Sequence, residues 1–253
     1  MGGRLSRLEQ EAEFQNRRTR GGGEPRDRFY WLIARAYSDL DDALDAYVGR
    51  RVLVVGCAEG NVTPLARRGV QVVGVDIADQ PVARLREAIE REGIGQRAQV
   101  HVMDAEALDF PNESFDAVVA SGVLHHLDVE RACRAWKRVL KPGGEVLLLE
   151  PLALNPLVSL YRWMTPKLRT PHEHPLAPKD FRTLRRHFAR VRVQSYGLLS
   201  LASLPLSYMP ASWRIRGSLL RVLDAADRVI FRLVPPIKHL GWAALIRCRD
   251  PRP

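Results

Sequence analysis

The chain has 253 residues, 46% of them hydrophobic and 27% charged, which fits one decorated globular domain and excludes disordered, collagen-like and membrane-bundle proteins. The net charge of +10 is unevenly distributed, because residues 36–150 are acidic overall whereas residues 151–253 hold 18 basic and 5 acidic side chains. This asymmetry favours an acidic body joined to a cationic face, although arginines that only solubilise an apolar region would give the same pattern.

The N-terminal region divides at a glycine-rich break. Residues 1–25 are predicted to be a mobile arm, since they end in three glycines and Pro25 and show only a short helical pattern over residues 8–14. Residues 26–50 are predicted to form a helical extension. Apolar residues recur there at helical spacing: Phe29, Leu32, Ile33, Ala36, Tyr37 and Leu40.

Residues 51–150 alternate between strand and helix patterns. Five apolar runs predict strands, at residues 52–55, 70–76, 100–104, 115–121 and 146–149. Helical patterns lie between them, the last over residues 128–140. This alternation is typical of a parallel sheet with helices on both faces.

Residues 151–253 are predicted to complete the sheet around two insertions, residues 151–178 and 198–240. A helix over residues 179–188 and strands at 191–196 and 241–247 continue the alternation. In the second insertion we predict a helix with Ser218 as N-cap, an apolar stripe and a charged stripe. The expected fold is a Rossmann-like, seven-stranded and mostly parallel α/β sheet, with an N-terminal helical extension and helical insertions after strands 5 and 6.

A loop of small residues follows the first strand, from Gly56 to Gly60. Such a loop lets the backbone approach a ligand and offers it the N-terminus of the next helix. Its Gly-x-x-x-Gly spacing differs from the Gly-x-Gly-x-x-Gly of dinucleotide-binding oxidoreductases. Asp76 ends the second strand, where a carboxylate can accept hydrogen bonds from ribose hydroxyls. Asp104 ends the third strand, where it can meet the amino group of an adenine.

These motifs resemble those of the class I S-adenosylmethionine-dependent methyltransferases, in particular the small-molecule (type 11) branch. The resemblance covers about residues 51–150 and is carried by Val-Leu-Val-Val-Gly-Cys-Ala-Glu-Gly at 52–60, Val-Gly-Val-Asp-Ile-Ala at 73–78, Met-Asp-Ala-Glu at 103–106, Ser-Phe-Asp-Ala-Val-Val-Ala-Ser-Gly-Val-Leu-His-His-Leu at 114–127 and Leu-Lys-Pro-Gly-Gly at 140–144. It implies that residues 51–150 form a core that binds S-adenosyl-L-methionine. The implied cofactor contacts are Gly56, Cys57, Ala58, Glu59, Gly60, Asp76, Ile77, Asp104, Ala105 and Ser121.

Two positions depart from the family pattern. Val54 stands where an acidic residue is common, and Ala58 where glycine is common. Loss of the acid removes a favourable charge, and alanine restricts φ and crowds a close ligand. Weaker cofactor binding and an inactive copy of the fold therefore both stay open.

Methyl transfer needs a well-aligned nucleophile and, for some acceptors, a group that removes a proton. His125 and His126 follow the fourth strand and Glu150 ends the fifth, at the edge where α/β sheets place catalytic side chains. These three residues are the catalytic candidates. The alternative for the imidazoles is a packing role or a bond to backbone, and for Glu150 a cap on the following turn.

The proline-rich insertion offers candidate substrate contacts in Arg169 and His174. No metal is predicted, because His172 and His174 lack a third ligand at a firm spacing. By resemblance the N-terminal helix closes over the site, which adds Tyr30 and Tyr37 as substrate contacts. Leucines and six basic residues in the second insertion favour a lipophilic metabolite, with or without an anionic group, of the prenyl, quinone or polyketide kind.

Other functions and partners stay open. One alternative is an RNA methyltransferase that uses the basic C-terminal half, although no RNA-binding module or Asn-Pro-Pro-Tyr-like motif is present. Another is a non-catalytic binding protein on the same fold. A peripheral membrane or lipid contact and a homo-oligomer are also compatible with the sequence. Three cysteines without a CxxC pair and no apolar run long enough to span a bilayer predict a soluble, cytoplasmic protein.

Overall fold

The computed structural model describes residues 6–20, 31–166, 170–203 and 213–252, without the side chains of residues 20, 31, 59 and 213–216. The described helices are α1 Arg7–Arg20, α2 Ala34–Leu44, α3 Glu59–Arg67, α4 Asp79–Glu92, α5 Val129–Val139, α6 Pro156–Met164, α7 Pro178–His187 and α8 Trp213–Leu233. The strands are β1 Arg51–Val55, β2 Gln71–Asp76, β3 Ala98–Val102, β4 Phe115–Ser121, β5 Leu140–Pro151, β6 Phe188–Tyr196 and β7 Ala243–Pro251.

These seven strands form one sheet in the order β3-β2-β1-β4-β5-β7-β6. Strand β7 runs antiparallel between β5 and β6, and the other pairings are parallel. The predicted fold class is therefore confirmed. The strand order reverses direction between β1 and β4, and α/β sheets bind ligands at such a switch point, beside the carboxyl ends of the strands.

Helices cover both faces of the sheet, and β1 shows why its sequence is continuously apolar. Val52 and Val54 pack with residues of α2, α3 and α4 on one face. Leu53 and Val55 pack with residues of α5 and α7 on the other. A central parallel strand buries both faces, so it needs an apolar run rather than an alternating pattern.

Polar caps fix the starts of two helices near the carboxyl edge. Asp128 accepts the N–H of Arg131 at 3.0 Å before α5. Asn155 accepts the N–H groups of Leu157 and Val158 at 3.0 and 3.1 Å before α6. The Asn155 amide also donates to the carbonyl of Leu240 at 2.8 Å, which ties α6 to the segment that follows α8.

The N-terminal segment differs from the predicted mobile arm. Residues 7–20 form the helix α1, which packs against α4. Asn16 makes this contact specific, since its amide donates to Asp79 at 2.7 Å and its oxygen accepts the N–H of Gln80 at 3.0 Å. Hydrogen bonds rather than an apolar stripe hold α1, which is why hydrophobic periodicity missed most of it. The glycines and Pro25 lie outside the described residues.

The predicted helical extension over residues 26–50 contains a shorter helix in the structure. Helix α2 begins at Ala34 after a 3₁₀ turn over Trp31–Ile33, and residues 26–30 lie outside the described part. Its residues Ala36, Leu40 and Leu44 are buried against the sheet. Helix α2 therefore mainly covers one sheet face.

The helix of the second insertion also differs from the prediction. Ser218, the predicted N-cap, lies inside α8, which begins five residues earlier at Trp213. Among the described side chains of α8, Asp227 alone is buried. Its carboxylate accepts the N–H groups of Leu198 and Leu199 at 3.0 and 2.7 Å. A polar anchor therefore orients α8, and the apolar stripe does not form a buried core.

Candidate active site

A cavity of about 1050 Å³ opens at the carboxyl ends of β1, β2, β4 and β5. Ligand sites in proteins have comparable volumes. The cavity brings together nine of the ten predicted cofactor contacts: Gly56, Cys57, Ala58, Gly60, Asp76, Ile77, Asp104, Ala105 and Ser121. The side chain of the tenth, Glu59, lies outside the described residues.

The loop after β1 depends on one glycine and one asparagine. Gly56 has φ +72°, and a Cβ there would stand 2.2 Å from a methyl group of Val123, so only glycine fits. The Asn61 oxygen accepts the N–H of Ala58 at 2.7 Å, and its amide donates to the carbonyl of Gly56 at 2.9 Å. Sequence reasoning missed Asn61, although its place three residues after the helix cap is a capping-box position.

The two departures from the family pattern have little steric consequence. Ala58 adopts an extended backbone, φ −143° and ψ 165°, so its side chain causes no strain. Val54 is 2% exposed and packs in the core. A Cβ built on Gly60 meets nothing within 4 Å, so the protein itself leaves open space beside this part of the loop.

The Cys57 side chain has no chemical role in this environment. It is buried in the core beside Gly74, where a Cβ would approach the Cys57 Cβ to 2.8 Å. Burial, with a smaller contribution from the nearby Asp76 carboxylate, raises the pKa of the Cys57 thiol to about 12. The thiol is therefore un-ionised at neutral pH and is not a nucleophile.

Two aspartates are fixed at the edge of the cavity by backbone N–H groups. Asp76 accepts the N–H of Ala78 at 2.9 Å, and Asp104 accepts that of Glu106 at 2.9 Å. Burial raises the pKa of Asp76 to about 6, with the Glu11 carboxylate adding to the effect and the Ala78 N–H opposing it. Asp76 is therefore an ionised acceptor only above about pH 6.

His125 and Glu150 form a buried pair in the same cavity. The His125 Nδ1 lies 2.7 Å from Glu150 Oε2, and Glu150 Oε1 accepts the N–H groups of Val123 and Leu124 at 2.9 and 2.8 Å. An ionised carboxylate only accepts hydrogen bonds, which assigns the proton to Nδ1 and leaves the Nε2 lone pair available. The structure thus places Glu150 behind His125 as the group that orients the imidazole.

His126 links the cavity to α1. Its Nδ1 lies 3.3 Å from Glu11 Oε2, as an ion pair without hydrogen-bond geometry. Burial lowers the pKa of His126, but the carboxylates of Glu11, Glu173 and Glu150 outweigh it and the net shift is upward. Burial likewise raises the pKa of Glu11, but His126 and further hydrogen bonds lower it to about 2.

Other contacts fasten α1 over the cavity. Arg7 donates to the carbonyl of His126 at 2.9 Å and pairs with Glu106. Thr170 donates its hydroxyl to Glu11 at 2.9 Å. Since Arg7 and Glu11 both line the cavity, α1 occupies the covering position that the sequence assigned to the next helix.

One group of donors among the described residues has the spacing of a metal site. Ligand atoms of His125, His126 and Glu173 lie within 4.8 Å of one another. The Glu173 carboxylate already lies 2.6 Å from Arg162, and His125 Nε2 lies 4.0 Å from the same carboxylate oxygen. A cation would have to displace Arg162, so we assign no metal there.

The predicted substrate contacts have mixed positions. Tyr37 lines the cavity. Tyr30 and Arg169 lie outside the described residues. His174 is not brought into the cavity: its Nδ1 lies 3.2 Å from the carbonyl of His172, and its backbone N–H donates to the His125 carbonyl at 2.8 Å. Sequence reasoning missed many other lining residues, among them Glu11, Tyr161, Arg162, Glu173 and Trp242.

Comparison with known proteins agrees with this geometry. Residues 53–148 match a family model described as a methyltransferase domain. Residues 53–148 therefore form a methyltransferase domain. The methyltransferase domain contains the loop after β1, both aspartates and the two histidines, so the resemblance to class I enzymes is confirmed.

Two curated relatives match the methyltransferase domain. A phosphatidylethanolamine N-methyltransferase of Cereibacter sphaeroides is 39% identical over 106 residues, which are 42% of this chain and 52% of that protein. The ubiquinone/menaquinone biosynthesis C-methyltransferase UbiE of Pasteurella multocida is 35% identical over 123 residues, 46% of each chain. The chain thus spans about half the length of these relatives.

A solved structure extends the likeness beyond the methyltransferase domain. The superposition with the crystal structure of the [4+2]-cyclase SpnF covers 98% of both chains, with a TM-score of 0.63 and 21% sequence identity. At this identity the similarity concerns the fold.

Proposed function

We propose that the protein transfers a methyl group from S-adenosyl-L-methionine to a small lipophilic metabolite. The observation that carries the proposal is that one cavity holds the cofactor-type loop and aspartates together with the His125–Glu150 pair. Bound S-adenosyl-L-methionine supplies the activated methyl group. The loop of residues 56–60 would hold its methionine part, Asp76 its ribose and Asp104 its adenine.

His125 is the general base in this proposal. Its Nε2 accepts the proton of the acceptor group while Nδ1 keeps its hydrogen bond to Glu150. The buried carboxylate then stabilises the imidazolium that forms. Glu150 is a positioning residue rather than a catalytic one. His126 serves as the positive partner of Glu11, so its role is to hold α1.

The lining of the cavity supports a lipophilic acceptor of the prenyl, quinone or polyketide kind. Apolar and aromatic side chains come from the N-terminal segment, the insertions and the residue before β7: Ile33, Tyr37, Leu157, Val158, Leu201 and Trp242. Arg162, the arginine that α6 contributes to the lining, is paired with Glu173 at 2.6 Å and so adds no support for an anionic group on the acceptor.

Product analysis with a labelled methyl group tests the proposal. The protein is incubated with methyl-labelled cofactor and a panel of quinones, prenyl compounds and polyketides. We expect a methylated product and an equal amount of S-adenosylhomocysteine. His125→Asn should abolish both and leave the affinity for S-adenosylhomocysteine unchanged. Full turnover by this variant would exclude His125 as the base.

A second candidate is a protein that uses the same cavity without methyl transfer. The chain shares its fold with a cyclase over 98% of both chains, and the fold by itself does not require methyl transfer. The two functions differ in stoichiometry, because a cyclase forms its product without releasing S-adenosylhomocysteine.

A further inference from the structure

Helix α6 has an apolar surface that the rest of the described protein does not cover. None of its residues is buried, and Leu157, Leu160, Trp163 and Met164 are 58%, 51%, 77% and 59% exposed. Their spacing places these four side chains on adjoining positions of one helix face. Isolated exposed apolar residues are normal, but a contiguous group of this size marks an interaction surface.

Helix α8 has a second uncovered surface, which is both apolar and basic. Val222, Val229 and Leu233 are 65%, 56% and 74% exposed and lie seven and four residues apart, so they form one stripe. An exposed arginine directly precedes each of them in sequence and forms the neighbouring stripe. These arginines are Arg221, Arg228 and Arg232.

The charges of α8 are separated by sign. The two aspartates of the helix point toward the protein, since the side chain of Asp224 is 13% exposed and Asp227 is buried. Asp224 lies 4.0 Å from Arg35 of α2. The outward face is left with arginines and aliphatic side chains, which complements an anionic and partly apolar surface.

The α6 surface lies at the cavity, and α8 is connected to α6 through the segment that follows α8. The hydrogen bond from Asn155 to Leu240 joins the start of α6 to the segment after α8. Val158 and Tyr161 of α6 line the cavity, and Leu157 both lines it and is more than half exposed. Helix α6 is therefore the rim of the cavity.

We propose that the exposed faces of α6 and α8 dock the protein on an anionic lipid bilayer, with the cavity mouth against the headgroups. Amphipathic helices bind bilayers in this way, with aliphatic and Trp side chains at the acyl boundary and arginines at the phosphates. Each helix in the described parts of the chain is too short or too polar to cross a membrane, so docking is peripheral.

Two other occupants fit the surface less well. RNA binding without base readout stacks bases on aromatic side chains that accompany the cations, whereas the arginines of α8 stand beside valines and a leucine and the exposed Trp163 belongs to the other helix, α6. A second copy of the chain, related by a two-fold axis, would bring the same arginines face to face and be repelled.

Docking deepens the proposed function, because a lipophilic acceptor would reach the cavity directly from the bilayer. It is measured without any turnover, so either proposal can fail while the other stands. The measurement is flotation of the full chain with phosphatidylcholine vesicles and with vesicles that contain 30% phosphatidylglycerol, at low and high salt.

We expect binding to the anionic vesicles only, and its loss at high salt. Arg221→Gln and Arg232→Gln should each lower the partition coefficient about fivefold. Val229→Glu should abolish binding. The matched control is Val48→Glu, which changes a 55% exposed valine before the amino end of β1, on the opposite side of the sheet, and should bind like the wild type.

Insertion of α6 is tested separately with brominated lipids, which quench tryptophan fluorescence at the acyl boundary. Quenching should disappear in Trp163→Phe. Equal binding to neutral vesicles, or full binding by Val229→Glu, would overturn the proposal. So would a dimer in gel filtration that Val229→Glu dissociates, or RNA binding that depends on the arginines and ignores Val229→Glu.

Discussion

Strand β5 buries two glutamates, Glu145 in its middle and Glu150 near its carboxyl end, and their surroundings differ. Glu145 pairs with Ala117 of β4, is 1% exposed and is surrounded by donors from other elements. Tyr47 donates to it at 2.6 Å, and Arg247 and Arg249 each approach it to 2.6 Å. Burial raises the pKa of Glu145, but the two arginines outweigh it and lower the pKa to about 2.

Glu150, at the carboxyl end of the strand, is equally buried but has different partners. It accepts two backbone N–H groups of the loop after β4 and the Nδ1–H of His125. One glutamate is thus neutralised by cations inside a closed network. The other accepts a hydrogen bond from the imidazole of His125, which lines the cavity. In the proposed function, the same residue type at the same burial stabilises the fold at one position of the strand and orients a general base at the other.

The largest expected effect is that of Glu150→Gln. The amide oxygen can still accept the N–H groups of Val123 and Leu124, but the amide NH₂ faces His125 Nδ1 and forces the proton onto Nε2. We expect kcat to fall about a thousandfold, while the affinity for S-adenosylhomocysteine stays the same. An unchanged kcat would show that His125 does not act as the base.

Glu145→Gln should lower the stability of the protein and leave its turnover unchanged. Loss of the buried carboxylate leaves Arg247 and Arg249 without their partner, and we expect urea unfolding at pH 7 to give about 2–3 kcal/mol less stability. Turnover of the folded variant should match the wild type. The Glu145 contribution is present above pH 4.5 and is lost as pH falls toward 2, so the two proteins should become equally stable there.

Gly60→Ala tests the carboxyl edge of the sheet, where the cavity lies, without disturbing the fold. A Cβ at this position meets no protein atom within 4 Å, so the free energy of unfolding should stay the same or rise by up to about 1 kcal/mol. A ligand that lies against the loop would meet the new methyl group, and we expect its affinity to fall about tenfold. Unchanged affinity in calorimetry would place the ligand away from this loop.

The smallest effect concerns pH and α1. The Glu11–His126 pair is complete above pH 4.5 and is lost as pH rises through the raised pKa of His126, while Glu150, Glu173 and Asp76 also face this region. The protection factors of the α1 amides, which correct hydrogen exchange for its intrinsic increase with pH, should therefore fall a few times at alkaline pH. Glu11→Gln should remove this dependence, since the hydrogen bonds of Arg7 and Asn16 do not need His126 to be charged.

The parts of the molecule that the sequence predicts are those with local signals. Three such features lie close together in the chain and define the sheet and its ligand edge: the apolar run of β1, the loop at Gly56 and the aspartate that ends β2. Contacts between distant residues gave no such signal. Glu11 meets Thr170 across 159 positions, and Asp227 anchors α8 through backbone groups near residue 199.

The same limit explains why the roles of Glu150 and of the apolar stripe of α8 could be assigned only from the structure. A glutamate at the end of a strand fits both a catalytic and a structural hypothesis. Only the fold shows that His125 lies against Glu150. The apolar stripe of α8 has the same spacing whether it faces a core or a bilayer. Burial distinguishes these cases, and it is a property of the assembled chain.

Calorimetry with S-adenosylhomocysteine tests the central claim most directly, namely that the carboxyl edge of the sheet binds this nucleoside. At pH 7.5 the wild type should bind it, and so should Asp42→Ala, a change of an exposed aspartate on α2. Asp76→Ala should lose at least about tenfold in affinity, because the ribose hydroxyls lose their buried acceptor. No heat with the wild type at millimolar ligand, or equal affinity in Asp76→Ala, would contradict the account.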